Sequence, residues 1–429
     1  MPRLLDLALP PRLGQPFRWL IASSWVSNLG DGIALAAGPL LVASLTPSPF
    51  LVALATTLQW LPPMVFGLLA GAITDRRDRR RLVVAVDSAR IGVLVVLTAT
   101  ILSGHVSIGL VLATMFVLGT AEVFADNAQA TMLPMLVARR DLAAGNQRIQ
   151  TGFLTLNQMA GPPIGAALFA IGAAVPFGTQ AALGALAVGL VTKVALPPHG
   201  RDLHVATRIR HDIAEGFRWT VRHPAVRTLV LTIFTFNIAF GAAWSVLVLY
   251  ATEHLGLGAV GYGLITTATA MGGLVGTGSY GWLTRHLSLS QIMRIGLIIE
   301  TFTHLSLALT STPWVAMVVF VVFGAHAFVW GTTSATVRQR AVPTRLQGRV
   351  GSVNVVGVTG GLVLGSLVGG GLAERWGVVA PFWFAFAGSA VFVVLIWREL
   401  RHIAHDDDLD AAGPGPGDPA TPGPDVAVD

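Results

Sequence analysis

The stretch G71-A-I-T-D-R-R-D-R-R-R-L82 follows the apolar run Leu68-Leu69-Ala70 and packs five arginines and two aspartates into positions 75–81. Charge this dense between oily segments cannot sit in hydrocarbon, so it marks a turn at a membrane face. The rest of the chain agrees: of 429 residues 53% are hydrophobic and only 12% charged, with a mean hydropathy of +0.68. Soluble domains carry about a quarter charged residues. The net charge of +6 comes from arginines that interrupt apolar runs and do not line one face, so it is not a nucleic-acid footprint. There is no cysteine, which excludes disulfides, thiolate catalysis and cysteine-based metal centres.

A helix needs roughly 20 apolar residues to cross the hydrocarbon. On that ruler the sequence divides into spans at 17–44, 50–74, 82–103, 106–126, 149–171 and 174–196, and again at 226–252, 259–284, 288–310, 313–336, 346–372 and 378–398. Arginine placement tests the division, because short cytoplasmic loops retain positive charge. With the N-terminus inside, the inner connections hold the 76–81 cluster, Arg139, Arg140 and Arg148, the run from Arg201 to Arg227, Arg285 and Arg294, and Arg338, Arg340, Arg345 and Arg349, while the outer ones hold only Arg375. Both termini are then cytoplasmic, in a plasma-membrane protein. The expected organisation is a cytoplasmic lead-in over 1–16, a six-helix bundle over 17–196, a linker over 197–225, a second six-helix bundle over 226–400 and a disordered acidic, Pro/Gly-rich tail over 401–429. Within the linker Ile209, Ile213, Phe217 and Val221 recur every four residues among charged ones, which predicts an amphipathic helix on the membrane face. The fold expected is all-α, with twelve transmembrane helices in two bundles related by pseudo-twofold symmetry, because the halves repeat weakly: T-M-L-P-M-L-V-A-R-R-D-L at 131–142 and R-Q-R-A-V-P-T-R-L-Q-G-R-V at 338–350 occupy equivalent places.

Gly71, Asp75, Arg76, Arg79 and Arg80 resemble the signature that major facilitator superfamily members carry between their second and third helices. Further fragments are S-N-L-G-D-G at 27–32, Asp87 with Arg90, A-E-V-F-A-D-N-A-Q-A-T-M-L-P at 121–134, the E-G-F-R-W-T-V-R-H-P helix at 215–224 and V-P-T-R-L-Q-G-R-V-G-S at 342–352. Together they are similar to the branch of enterobactin-type siderophore exporters and macrolide efflux pumps. The segment G-P-P-I-G at 161–165 looks like the tail of the Gly-Pro signature of family exporters, built on Gly161, Pro162 and Gly165, although Asn157 stands where that pattern has a glycine. The resemblance implies an inner gate in which Glu122 and Asp126 latch onto the arginines of the opening stretch, with Asp75 resting near a helix N-terminus.

Isolated polar residues within the spans are the remaining candidates. An ionised carboxylate at a helix centre costs about 2.5–3.5 kcal/mol on insertion scales, so Asp31 needs a reason. With Asn28 one turn before it, it is either a cavity-facing acid that binds a proton or a cationic substrate, or half of an interhelix hydrogen-bonding pair. Glu300, His304 and His326 form a second polar island, and Gln59, Trp60, Asn157, Gln158, Asn237 and Trp244 are possible pocket linings or plain helix contacts. Asp87 and Arg90 share a face and read as a structural ion pair. Gly357, Gly361, Gly365 and Gly369 predict close helix packing, a scaffold for rocking. The G-x-G-x-x-G matches at 256–261 and 276–281 lack a strand before them and carry no dinucleotide.

These features favour a secondary active transporter, a proton-driven exporter of a bulky, partly apolar small molecule that works as a monomer in the bilayer. No cofactor or metal is expected and the proton gradient supplies the energy, since Lys193 lacks the glycine-rich lead of a phosphate-binding loop. An importer of the same fold is the near alternative, and a non-transporting membrane sensor or a membrane-embedded enzyme are those from other classes. Neither G-x-S-x-G nor H-E-x-x-H occurs to support an enzyme.

Overall fold

The computed structural model describes residues 13–196, 209–343, 346–397 and 399, with side chains at 68, 72, 75, 76 and 209–213 excluded. The tail, the first part of the linker and most of the lead-in therefore lie outside the described residues. The helices of the first half are α1 (Gln15–Leu45), α2 (Pro49–Arg76), α3 (Arg79–Leu102), α4 (Ile108–Leu136), α5 (142–171) and α6 (Val175–Val191). The linker helix is α7 (Ile209–Arg222), and the second half comprises α8 (Pro224–Trp244), α9 (Ala259–His286), α10 (Leu289–Leu309), α11 (Pro313–Ala341), α12 (Gln347–Trp376) and α13 (Ala380–Ile396). Among the described residues nine helices are long and apolar enough to cross a membrane. The shorter α6 and α13, with α5, complete twelve spans.

Turn chemistry sets the boundaries. Ser48, Asp78 and Ser107 each accept an amide from the first turn of α2, α3 and α4, and Ser288 with Gln291 forms a reciprocal capping box on α10. Asp78 is thus the carboxylate at a helix N-terminus in the opening stretch. Asp75 lies by its backbone in the last turn of α2, and its side chain is outside the description. Several helices overrun the bilayer ruler: α4 continues to Leu136 and not 126, and α1 begins at Gln15 with Leu13 already buried against Phe17 and Leu133. Helices extend past hydrocarbon wherever protein neighbours cover them.

α5 is not uniform. Between α-helical Leu142–Gly152 and Gly161–Ile171 it runs as a π-helix over Phe153–Ala160, closed by the Gly161 amide donating to the Leu156 carbonyl. Pro162 and Pro163 follow at once and have no amide hydrogen to restore the α pattern.

The packing repeats between halves. α1 lies on α5 and α6 as α8 lies on α12 and α13; α2 and α3 lie on α4 as α9 and α10 lie on α11; α3 meets α6 as α10 meets α13. The halves touch along two equivalent seams, α2 on α12 and α5 on α9. Large apolar side chains such as Leu102, Ile171, Trp314 and Val394, each at least 75% exposed, cover the outside, as lipid contact requires. α7 docks on the first turns of α12, with Gly216 against the Arg349 backbone and Glu215 paired with Arg349. Its face bearing Phe217 and Val221 stays exposed, 60% and 44%, and is free to meet the membrane surface.

Glycines mark where backbones approach closest. A Cβ on Gly361, Gly365 or Gly369 would strike α8 at Phe234 O, Ile238 O or Ala242 O, so this stripe locks α12 inside its own half and does not form a sliding seam. Gly161 and Gly165 meet α1 at Gly32 and Ile33 in the same manner. We expect Gly165→Leu to lower the melting temperature in detergent, overpacking of this kind costing about 1–3 kcal/mol or more. Gly278→Leu, which meets nothing within 4 Å, should melt like the parent.

Candidate functional site

α1 begins and α13 finishes at one end of the molecule, the terminal end. A cavity of about 900 Å³ lies between the halves, lined by α1, α2, α3, α4, α5, α6 and the first turns of α12. It runs from Gln59, Met115 and Phe177 near the middle of the bundle to Gly71, Asn127 and Gly348 at the terminal end. Beyond the middle, towards the opposite end, the seams are shut. On the α2/α12 seam Thr57 and Ser366 are hydrogen-bonded at 2.7 Å, Gly370 abuts Ala53, and Glu374 accepts from the Ser48 hydroxyl (2.8 Å) and the Phe50 amide (3.1 Å). On the α5/α9 seam the Thr267 hydroxyl donates to the Met159 carbonyl at 2.8 Å, and Gly263 abuts Pro162 and Pro163. An α-helix would direct the amide of residue 163 at that same carbonyl, and Pro163 has none to give.

The charged core of the site is Arg90. Its guanidinium binds Asp31 at 2.5 Å and Asp87 at 3.3 Å, and it is almost wholly buried. Asp31 also accepts from Gln180 (3.3 Å) and Ser27 (3.3 Å). The expected local pair of Asp87 with Arg90 is therefore half of a bridge joining α3 to α1. Asn28 does not support Asp31; its amide turns back to Ser24. Gln59, Trp60, Asn157 and Gln158 line the cavity, the last two from the π-helical stretch of α5.

Glu122 and Asp126 also line the cavity, one turn apart on α4, and both lie within electrostatic reach of Arg90. The described contacts of Arg79 and Arg80 go elsewhere, to the Met135 sulfur and to the Thr192 and Val194 carbonyls. The terminal end, where these acids and the arginines of the opening stretch lie, is open in this conformation. Gly71 lines the mouth, and the side chains of Asp75 and Arg76 lie outside the description.

The polar island of the second half stands apart from this cavity. Glu300 meets His326 at 3.4 Å between α10 and α11, His304 is fully buried, and Trp244 stacks with Phe240 and Phe323 beside it. Asn237 bonds to the Ile233 carbonyl of its own helix. Residues the sequence did not single out include Gln180, Phe153, Phe177, Val355 and Val356. The signal for Arg90 was present, since a guanidinium inside a span demands a partner, but its main partner lies 59 positions away.

Two six-helix bundles that meet at two seams around a half-open cavity define a membrane transporter of the major facilitator type, not an enzyme. The chain belongs to the transmembrane secretion effector family, whose model matches residues 8–418. It is similar to the multidrug efflux pump Tap of Mycolicibacterium fortuitum, 26% identical over 387 residues that cover 86% of this chain and 91% of the relative. It is also similar to the enterobactin exporter EntS of Shigella dysenteriae serotype 1, 24% identical over 93% of this chain and 95% of the relative. Among solved structures, a mutant of the nucleoside transporter NupG superposes with a TM-score of 0.75 at 10% identity, covering 90% of this chain and all of that one.

Removing one partner of a buried ion pair strands the other, at a cost of about 3–5 kcal/mol. Arg90→Met is therefore expected to melt well below the parent in detergent, with part of the loss recovered in Arg90→Met/Asp31→Asn. Equal melting of parent and single variant would contradict the bridge.

Proposed function

We propose that this protein exports a bulky, partly apolar small molecule across the plasma membrane by alternating access, as a monomer, driven by protons moving inward. The observation that carries the reading is the cavity itself: about 900 Å³, reaching the terminal end and shut at the other. That volume suits a drug-sized molecule. The arginines gather at the terminal end, so by the retention of positive charge that end faces the cytoplasm and the cavity is loaded from inside. The names of the relatives, a multidrug efflux pump and an enterobactin exporter, support export.

Coupling follows from the Arg90 bridge. A proton taken up by Asp31 cancels its charge and loosens α3 from α1; its loss restores the pair. A state in which Asp31 is open to one side and a state in which it is open to the other are thus favoured by different protonation, and a differential of that kind is all that coupling needs. One proton moving down about 100 mV supplies roughly 2.3 kcal/mol.

In everted membrane vesicles containing the protein, a fluorescent dye that it exports should accumulate when a pH gradient, acid inside, is imposed, and nigericin should abolish the accumulation. Asp31→Asn should remove the dependence on the gradient. Accumulation in right-side-out vesicles instead would establish import, and dye levels indifferent to the protein would exclude transport.

A further inference from the structure

We infer that the closed end carries a binding site for one phospholipid whose headgroup bears a protonated primary amine. The lipid lies across the α2/α12 seam, with its phosphate on Arg375 and its ammonium on Glu374. The site is separate from the cavity between the halves and does not depend on the direction of transport.

A groove of about 480 Å³ lies along that seam, within the range of small-molecule sites, about 300–1,000 Å³. Phe50, in the first turn of α2, forms one side and the last turns of α12 form the other. Two stripes spaced by four residues make up the α12 wall, Leu367, Gly371 and Arg375 beside Val368, Leu372 and Trp376. Each stripe runs from apolar side chains to the membrane interface, because α12 ends at Trp376 and α2 begins at Pro49. Trp376 is 68% exposed, as an interfacial tryptophan is. Gly371 gives the groove its depth: a Cβ there would meet nothing within 4 Å, whereas one on Gly370 would strike Ala53 and press on Phe50. The floor of the groove is thus the closed contact between the halves.

The interfacial end of the groove holds one charge of each sign. Arg375 is the arginine that runs against the charge distribution fixing the topology, since the other short connections at this end have none. Its place in the last turn of α12 suits a cation, yet it has neither a hydrogen bond nor an ion pair among the described residues. Glu374 commits only Oε2 to the seam, where it accepts from the Ser48 hydroxyl and the Phe50 amide. Its Oε1 has no donor among the described residues, and the side chain is exposed and lines the groove. A carboxylate and a guanidinium on successive residues that do not pair with each other suit a zwitterion: phosphate oxygens accept from Arg375, and an ammonium donates to Glu374 Oε1. A choline headgroup has no N–H to donate, and a glycerol headgroup brings no positive charge to the carboxylate. The acyl chain then follows Leu372, Val368 and Leu367 into the hydrocarbon. Because Phe50 belongs to one half and the remaining wall to the other, the groove is complete only while the seam is shut, and a lipid bound in it holds that end closed.

The test titrates the purified, delipidated full chain in detergent with dioleoyl phosphatidylethanolamine, phosphatidylcholine and phosphatidylglycerol, read by native mass spectrometry. One ethanolamine lipid should be retained about ten-fold more tightly than either of the others, one charge contact being of that order. Arg375→Gln should weaken its retention by about the same factor. Glu374→Gln, whose amide oxygen still accepts at the seam, should bring the ethanolamine and choline lipids level. Gly371→Leu fills the groove where nothing stands in its way, so it should lose the retained lipid while melting like the parent, which separates lost binding from lost fold. Thr57→Cys/Ser366→Cys, cross-linked so that the seam is locked shut, should hold the ethanolamine lipid at least as tightly as its reduced form. Equal retention of the three lipids by the parent, or a Gly371→Leu variant that holds the ethanolamine lipid as the parent does, would overturn the site. Release of the lipid on cross-linking would overturn its place across the closed seam. None of these outcomes reads transport, so a failure of the vesicle assay leaves them standing.

Discussion

In a bilayer a backbone carbonyl released by a proline finds no water, so its donor must come from protein. The structure depends on how that constraint is met in α5. Pro163 has no amide to give the Met159 carbonyl its α-helical bond, and Thr267 reaches that carbonyl from the other half. The local break thereby becomes a bond across the seam, where it shares the burden with Thr57 and Ser366 on the equivalent seam. Between them these contacts and the glycines beside them close one end of the molecule, while the cavity reaches the other.

Rigidity within each half has a different source. Gly361, Gly365 and Gly369 press α12 onto α8, and Gly161 and Gly165 press α5 onto α1, so each seam helix is welded to a neighbour in its own bundle. Among the described residues the seams rest on few hydrogen bonds and on hydroxyls that can find other partners. Strong packing inside the bundles and sparse bonding between them is the distribution a rocking mechanism requires. The Arg90 bridge adds a charge-sensitive tie between α1 and α3 in the wall of the cavity, so that events in the cavity reach the helices that form it.

The twelve spans were legible because the bilayer fixes how long an apolar run must be and which loops keep arginine. So was the linker helix, whose four-residue period survives as Ile209–Arg222, although the face that docks, with Gly216 and Trp219, is not the apolar stripe the period displays. The period of the α12 glycines was equally plain, yet their partner was not: a repeat announces close approach and cannot say to what. Asp31 stood out for the energetic cost of its place, while its bond to Arg90 joins residues far apart in sequence and depends on how α1 and α3 are rotated. Glu122 and Asp126 were visible as acids, but whether they face a gate or a cavity is decided by the conformation, and this one is open at their end. The overrun of α4 past the membrane ruler and the π-helical turn before Pro162 were hidden because hydropathy records neither neighbours nor hydrogen-bond register.

For the molecule to work the closed end must open, with the two halves parting at the seams. Because the natural chain has no cysteine, Thr57→Cys with Ser366→Cys places the only two thiols at the buried contact between α2 and α12. Oxidation to the disulfide should stop transport in vesicles, and reduction should restore it. Undiminished transport by the fully cross-linked protein would show that the seam never opens, and the account built on it would fail.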